Sequence, residues 1–266
     1  MLIFGGPYSN LAATRAMRAE AANLGIPRER VFCNGDLVAY CAEPQQTIDE
    51  IRDWGIPVVM GNCEESLAAS APDCGCGFET GSTCALLSDH WYAFARHRVS
   101  DDSRRWMRRL PGSIRFSFNG RQILLVHGSP SAINRFVFAS TSTAEKTAEF
   151  AATDADIIVG GHSGLPFGER IGDSYWLNTG VIGMPANDGT RDGWYLLLTV
   201  QGSALRASWR RLGYDWRQSY QSMIAAGLDN GYAQALRTGL WPSMDVLPAA
   251  EKTQRGERLS PIDMFA

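Results

Sequence analysis

The chain has 266 residues, is 45% hydrophobic and 20% charged, and carries a formal net charge of −3; it is long enough to bury a substantial core and too acidic to offer a broad nucleic-acid or polybasic membrane surface. No apolar run reaches the roughly 18 to 20 residues of a membrane span, and Met1 leads into Leu2-Ile3-Phe4 without the charged stretch that opens a signal peptide. Six cysteines are too sparse for a disulfide scaffold at this length, so a cytoplasmic setting with free or metal-binding thiols is expected.

The first 62 residues alternate short apolar runs with helical patterns. Leu2-Ile3-Phe4, Val31-Phe32-Cys33 and Pro57-Val58-Val59-Met60 read as strands, and Leu11 to Leu24 and Thr47 to Trp54 as helices. This β-α repetition predicts a parallel sheet covered by helices, with ligands bound beyond the carboxyl ends of its strands. Residues 65–112 break the rhythm and are expected to form a helical insertion that contains a glycine- and cysteine-rich stretch. Ile114 to Phe118 and Gln122 to Val126 flank Asn119-Gly120, the sequence of a type I′ hairpin turn. Thr143 to Ala152 reads as a helix and Ile157-Ile158-Val159 as a buried strand. Tyr175-Trp176-Leu177, Trp194 to Val200 and Leu205 to Arg210 are expected to close a second sheet with antiparallel strands. Helices are expected over 215–240, available for self-association. The domain is placed at residues 1–241, and 242–266, aperiodic and charged from Glu251 to Arg258, is read as a surface tail.

Four residues suited to metal binding follow apolar runs in separate parts of the chain: Asp36, Asn62, His127 and His162. Each sits beside a glycine, and two of the chain's four histidines occupy these places. Neutral imidazole combined with carboxylate and amide oxygen suits one divalent transition metal, Mn, Fe, Zn or Ni, better than Ca or Mg, which prefer oxygen alone. Any single one of the four, taken alone, is equally a strand or turn cap; their recurrence at strand ends is what points to a site.

The blocks around these residues resemble those of the calcineurin-like metallophosphoesterases, in particular the bacterial single-domain branch. The resemblance is carried by Gly35-Asp36-Leu37-Val38, Gly61-Asn62-Cys63-Glu64, Val126-His127-Gly128-Ser129-Pro130 and Gly161-His162-Ser163-Gly164, with Asn178-Thr179-Gly180 following. It spans about residues 2–200. The resemblance implies an α/β fold, a four-layer α/β/β/α sandwich of two mixed sheets, with a two-metal centre at the strand ends. It also implies that Asp36 bridges and that Asn62, His127 and His162 complete the second metal site. The ligands serving only the first metal are replaced: Gly6 stands where the family has aspartate, and Tyr8 and Gly164 where it has histidine. This pattern predicts a mononuclear site rather than a two-metal clamp.

The implied chemistry is hydrolysis of a phosphoester or phosphodiester by metal-activated water, on a small phosphorylated substrate and not on nucleic acid. The alternative is a catalytically impaired relative that binds a phosphorylated ligand or partner. Cys63 occupies a position where many relatives carry a histidine proton donor, and thiol is a weak acid unless tuned, so Glu64 or water is a substitute. Tyr8 either points its phenol at a phosphate oxygen or packs into the vacated space. Arg135 is a candidate phosphate clamp or else a solvated surface arginine. Cys74, Cys76 and Cys84 lie within eleven residues and form a candidate second site for Zn or Fe, a source of a replacement ligand for the main site, or a set of free thiols.

Overall fold

The computed structural model describes residues 1–260 and 262–265. The β-α rhythm of the N-terminal region is realised as β1 (Leu2–Phe4), α1 (Leu11–Asn23), β2 (Val31–Cys33) and α2 (Pro44–Trp54), with β1 and β2 parallel and Leu2 opposite Val31. The helices start and stop where local chemistry dictates. Asn10 caps α1 by accepting from the Ala13 amide, while Pro44 opens α2 and left-handed Gly55 closes it.

The run at residues 57–60 forms only a single parallel bridge, Val58 to Cys33, before α3 (Asn62–Ala69) begins. Two more helices, α4 (Thr83–Arg96) and α5 (Asp101–Met107), follow the glycine- and cysteine-rich loop. The hairpin pairs β3 (Ser113–Phe118) with β4 (Arg121–Val126), and Asn119 and Gly120 both take positive φ, 52° and 77°, as a type I′ turn requires.

The remaining elements are α6 (Thr143–Ala151), β5 (Ile157–Gly160), β6 (Pro166–Ile171), β7 (Ser174–Thr179), β8 (Gly193–Gln201), β9 (Ala204–Leu212), α7 (Trp216–Ala225), α8 (Gly231–Thr238), α9 (Ala249–Thr253) and β10 (Asp263–Phe265). They complete two five-stranded sheets, β10-β9-β8-β1-β2 and β3-β4-β5-β7-β6, each mixing parallel and antiparallel pairs.

Period-two alternation shows how the sheets stack. Ile3, Leu125, Ile157, Val159, Leu177 and Leu196 meet in the core between the sheets. Their neighbours Leu2 and Phe4 face the helical layer containing Met17, Ile48, Leu67 and Leu236. On the far side, Leu124, Ile158 and Trp176 pack with Phe150 of α6. The result is the expected four-layer α/β/β/α sandwich.

Two details differ from the sequence reading. The strand around Trp176 does not join β8 and β9; it lies parallel to β5 in the other sheet, while β8 pairs with β1. The segment after Pro242 is also more than a surface tail. Leu247 is buried, buried Glu251 accepts from the Ser140 amide (3.0 Å) and hydroxyl (2.6 Å), and β10 adds an edge strand to β9.

Candidate metal centre

Both sheets deliver strand ends to the same edge. β4 and β5 are parallel neighbours with Leu125 opposite Val159, so the residues just beyond them emerge side by side. His127 and His162 are then locked together, because the amides of Gly161 and His162 both donate to the His127 carbonyl (2.9 and 3.0 Å). From the other sheet, the loop after β2 carries Asp36. It turns at Gly35, whose φ is +96° and where a Cβ would lie 2.6 Å from the Gly61 nitrogen, so no side chain fits.

Glu64 fixes this loop to α3. Its carboxylate accepts from the amides of Asp36 (2.7 Å), Leu37 (2.8 Å) and Gly61 (3.0 Å), and it is fully buried. Asn62, the first residue of α3, is thereby set opposite Asp36. Its amide nitrogen donates to the Cys74 carbonyl (2.9 Å), which turns its oxygen toward His127.

The four sequence-predicted ligands therefore converge. His127 Nε2 lies 3.0 Å from Asn62 Oδ1, 3.3 Å from Asp36 Oδ2 and 2.9 Å from His162 Nδ1. Among the described residues, Asp36, His127 and His162 form the group whose ligand atoms all fall within 4.8 Å of one another. His127 Nδ1 is 2.7 Å from the Asn34 carbonyl, which can only accept, so the proton belongs on Nδ1 and the Nε2 lone pair faces the centre. His162 Nε2 is buried and without a hydrogen-bond partner among the described residues.

Burial works against charge on Asp36 and His127, but their mutual attraction prevails: the carboxyl is held below its ordinary range and the imidazole above. Burial, aided by His127, pushes His162 down to about 3, so this ring is neutral near pH 7. A buried set of two imidazoles, one carboxylate and one amide oxygen, with their protons turned outward, lacks a positive charge at its middle. A divalent transition cation supplies it, so the residues fit the group.

Of the positions replaced relative to the two-metal pattern, Gly6 is closed by packing: a Cβ there would lie 2.5 Å from Val181 Cγ1 and 2.7 Å from the Tyr8 ring, whereas at Gly164 it would make an ordinary contact with the Trp241 indole at 3.5 Å. Tyr8 lines a cleft of about 70 Å³ that opens beside Asp36 and His162. Its phenol has no hydrogen-bond partner in the protein among the described residues, and burial, then the Asp36 charge, raise its pKa well above the ordinary value.

Other sequence candidates lie differently. Cys63 is buried, accepts weakly from Asn62 Nδ2 (3.6 Å), and is kept a neutral thiol by burial and by Asp36. Cys74 and Cys76 are joined in a disulfide, and Cys84 is a separate buried thiol on α4, so the three do not gather as one thiolate set. Arg135 is turned away into ion pairs with Glu149 (2.7 Å) and Glu145 (3.2 Å) of α6.

Sequence reasoning missed Asn34, which orients His127 through its carbonyl, and Phe136, whose ring packs 4.2 Å from His162. It also missed Trp241, held by Nε1 donating to the Pro185 carbonyl (2.6 Å). Asn34 follows β2 two residues before Asp36, a position that should have flagged it; Trp241 is brought in from far along the chain and has no local signature.

The architecture is thus a helix-flanked double sheet with a candidate metal-ligand cluster at its strand ends. The family model for the calcineurin-like phosphoesterase superfamily domain matches residues 9–203, and the chain belongs to that superfamily. It is similar to an uncharacterized protein of Methanocaldococcus jannaschii, 23% identical over 248 residues that cover 87% of this chain and 95% of the relative. Among solved structures it shares its fold with a hypothetical protein of Pyrococcus horikoshii (TM-score 0.76, 15% identity) and a metallophosphoesterase from Sphaerobacter thermophilus (TM-score 0.71, 18% identity). Each alignment covers 90% of this chain and 98% of the other. Among the described residues no helix is long and apolar enough to cross a membrane.

Proposed function

We propose that this protein is a metal-dependent phosphoesterase acting on a small phosphorylated substrate, with one divalent transition cation held by Asp36, Asn62, His127 and His162. The observation that carries the reading is the orientation of the four donors: the His127 ring proton goes to Asn34 and the Asn62 amide protons to Cys74, leaving lone pairs to converge beside an open cleft. Membership of the superfamily supplies the reaction class. Such a cation, when bound, polarises a phosphoryl oxygen and lowers the pKa of a water.

The chain's own residues divide the remaining work. Asn34 and Glu64 are positioning residues that fix His127 and the Asp36 loop. Tyr8 stays protonated at neutral pH and presents a phenol in the cleft beside Asp36, suited to hydrogen-bond a phosphoryl or leaving-group oxygen. Cys63 and Glu64 support the site from behind, and Arg135 serves α6 rather than substrate. The single-cation stoichiometry is supported by the packing of Tyr8 and Val181 around Gly6. A cytoplasmic setting goes with this reading on the strength of the four cysteines that remain free thiols, with the Cys74–Cys76 disulfide pointing the other way.

Elemental analysis of purified protein beside His127→Ala, paired with turnover of bis(p-nitrophenyl) phosphate, tests the proposal. About one transition metal per chain, lost together with turnover in the variant, is the expected result. Metal retained in the variant overturns the ligand assignment; metal bound at that site without turnover of any phosphoester favours the ligand-binding alternative.

A further inference from the structure

The cleft beside the metal centre is built for something other than phosphate alone. Its walls include Tyr8, Tyr40, Phe78, Phe136, Tyr232 and Trp241, and among the described residues no lysine or arginine lines it. Phosphate sites ordinarily rely on guanidinium, ammonium or clustered backbone N–H donors. Here Arg135, the candidate that the sequence offered, is committed to Glu149 and Glu145. A divalent cation held by the Asp36 carboxylate and three neutral donors, with the Glu64 carboxylate buried close behind on the Asp36 loop, leaves at most one net positive charge for a phosphate. Such a site suits a monoanionic phosphodiester better than a dianion. A dianionic monoester would leave an unpaired negative charge against apolar walls, which low dielectric makes costly.

The aromatic walls are rigid. Phe136 lies against the His162 ring at 4.2 Å. Trp241 sits over Gly164 and is anchored twice, by Nε1 to the Pro185 carbonyl (2.6 Å) and by its backbone amide to Asn187 Oδ1 (2.8 Å). Tyr40 and Tyr232 pack with ring centroids 4.3 Å apart. Three of these elements have different origins. Phe78 comes from the loop before α4, and Tyr232 and Trp241 come from residues beyond 203, where the superfamily match ends. The candidate ligands therefore lie within the span of the superfamily match, whereas one wall of the cleft comes from residues beyond it.

We infer that the cleft binds a planar ring carried on one ester arm of a monoanionic phosphodiester, with Trp241 and Phe136 as the specificity-determining walls. The inference rests on the phosphoesterase reading and names its substrate class. A ring enters a fixed aromatic slot without ordering loops, so affinity comes from apolar burial and stacking, and a small alkyl arm forfeits both.

Two measurements on the metal-loaded protein test it. Calorimetry compares diphenyl phosphate with dimethyl phosphate; the expected result is binding of the diphenyl ester about tenfold or more tighter. Turnover compares phenyl p-nitrophenyl phosphate with methyl p-nitrophenyl phosphate, each normalised to its alkaline hydrolysis rate so that the leaving group is common. The phenyl ester is expected to exceed the methyl ester in kcat/KM by about tenfold, and both to exceed the monoester p-nitrophenyl phosphate. Trp241→Ala should bring the phenyl-to-methyl ratio close to one and Trp241→Phe should retain it, with Phe136→Leu as the second probe should the alanine variant not fold. Equal binding of the two diesters, binding of neither, or a phenyl-to-methyl ratio near one in the wild type overturns the ring assignment while any turnover leaves the phosphoesterase reading standing. Ring-selective binding without turnover of any ester supports the cleft assignment and removes the reaction instead.

Discussion

Replacing Glu64 by glutamine separates a positioning role from an acid-base role at this site. The carboxylate accepts from Asp36, Leu37 and Gly61 amides inside a region closed to solvent. In Glu64→Gln one oxygen becomes an NH2 group that faces donors, so at least one buried N–H is orphaned. With roughly 1 to 3 kcal/mol for each such group and the loss of a charge-assisted bond, the variant should be less stable by about 2 to 4 kcal/mol. For a chain of this length that lowers Tm by roughly 5 to 10 °C. Because the same amides hold the Asp36 loop against α3, metal affinity should fall about ten- to a hundredfold. Urea unfolding of the chelated protein gives the first quantity, and competition with a chromophoric chelator gives the second. A variant with wild-type stability and affinity but no turnover would refute the positioning argument and make Glu64 a proton donor.

Other outcomes follow from the same geometry. Gly6→Asp should not restore a second metal: its Cβ collides with Val181 and the Tyr8 ring at a φ of +50°. Elemental analysis should still give about one ion per chain, with Tm lowered; two tightly held ions would contradict the packing. The chelated protein should lose stability as pH falls from about 4.5 toward 3, with His162 contributing a slope of up to about 1.4 kcal/mol per pH unit. The sign follows from His162, whose folded pKa is lowered to about 3, so that below about 6.5 the unfolded chain binds the proton and the folded one does not. Glu64, raised to about 7 by burial and then by the Asp36 charge, takes up its proton first in the folded chain and offsets that loss down to about pH 4.5. His127, raised, adds no opposing slope in this range, and Asp36, lowered, adds loss only toward the acid end. His162→Gln should reduce the slope below about pH 4.5, and an unchanged slope in that variant would show that another group governs it. Asn62→Ala should weaken metal binding about tenfold or more in the same chelator competition while Glu64 keeps α3 in place.

The convergence of the four candidate ligands was legible because each stands after an apolar run at a sheet's carboxyl edge, a rule that depends on short-range pattern. The type I′ turn at Asn119-Gly120 was legible for the same reason. What eluded the sequence needed knowledge of partners. β6 was missed because Pro166, Gly168, Glu169 and Arg170 read as loop chemistry, although Phe167 and Ile171 pack against Trp176. The strand around Trp176 was assigned to the wrong sheet because its apolar alternation suits either one. Arg135 looked available for phosphate because nothing in its own segment announces that Glu145 and Glu149 lie one helix turn apart and both within reach. The loop cysteines looked like ligands by spacing, yet two of them pair and support Asn62 through the Cys74 carbonyl.

The pairing of β1 with β8 sets an order of events during synthesis. All four candidate ligands have been synthesised by residue 162, but the sheet that carries the Asp36 loop then consists of β1 and β2 alone, since Leu2 waits for Leu197 and Ile3 for Leu196. Closing a loop of that length is entropically unfavourable and slow. A nascent chain therefore passes through a stage in which every donor is made but the sheet carrying Asp36 is incomplete, with an apolar strand pair exposed to other chains. Metal capture becomes a late step, coupled to arrival of β8 and β9, and a fragment cut before residue 193 should show little affinity despite containing the whole ligand set.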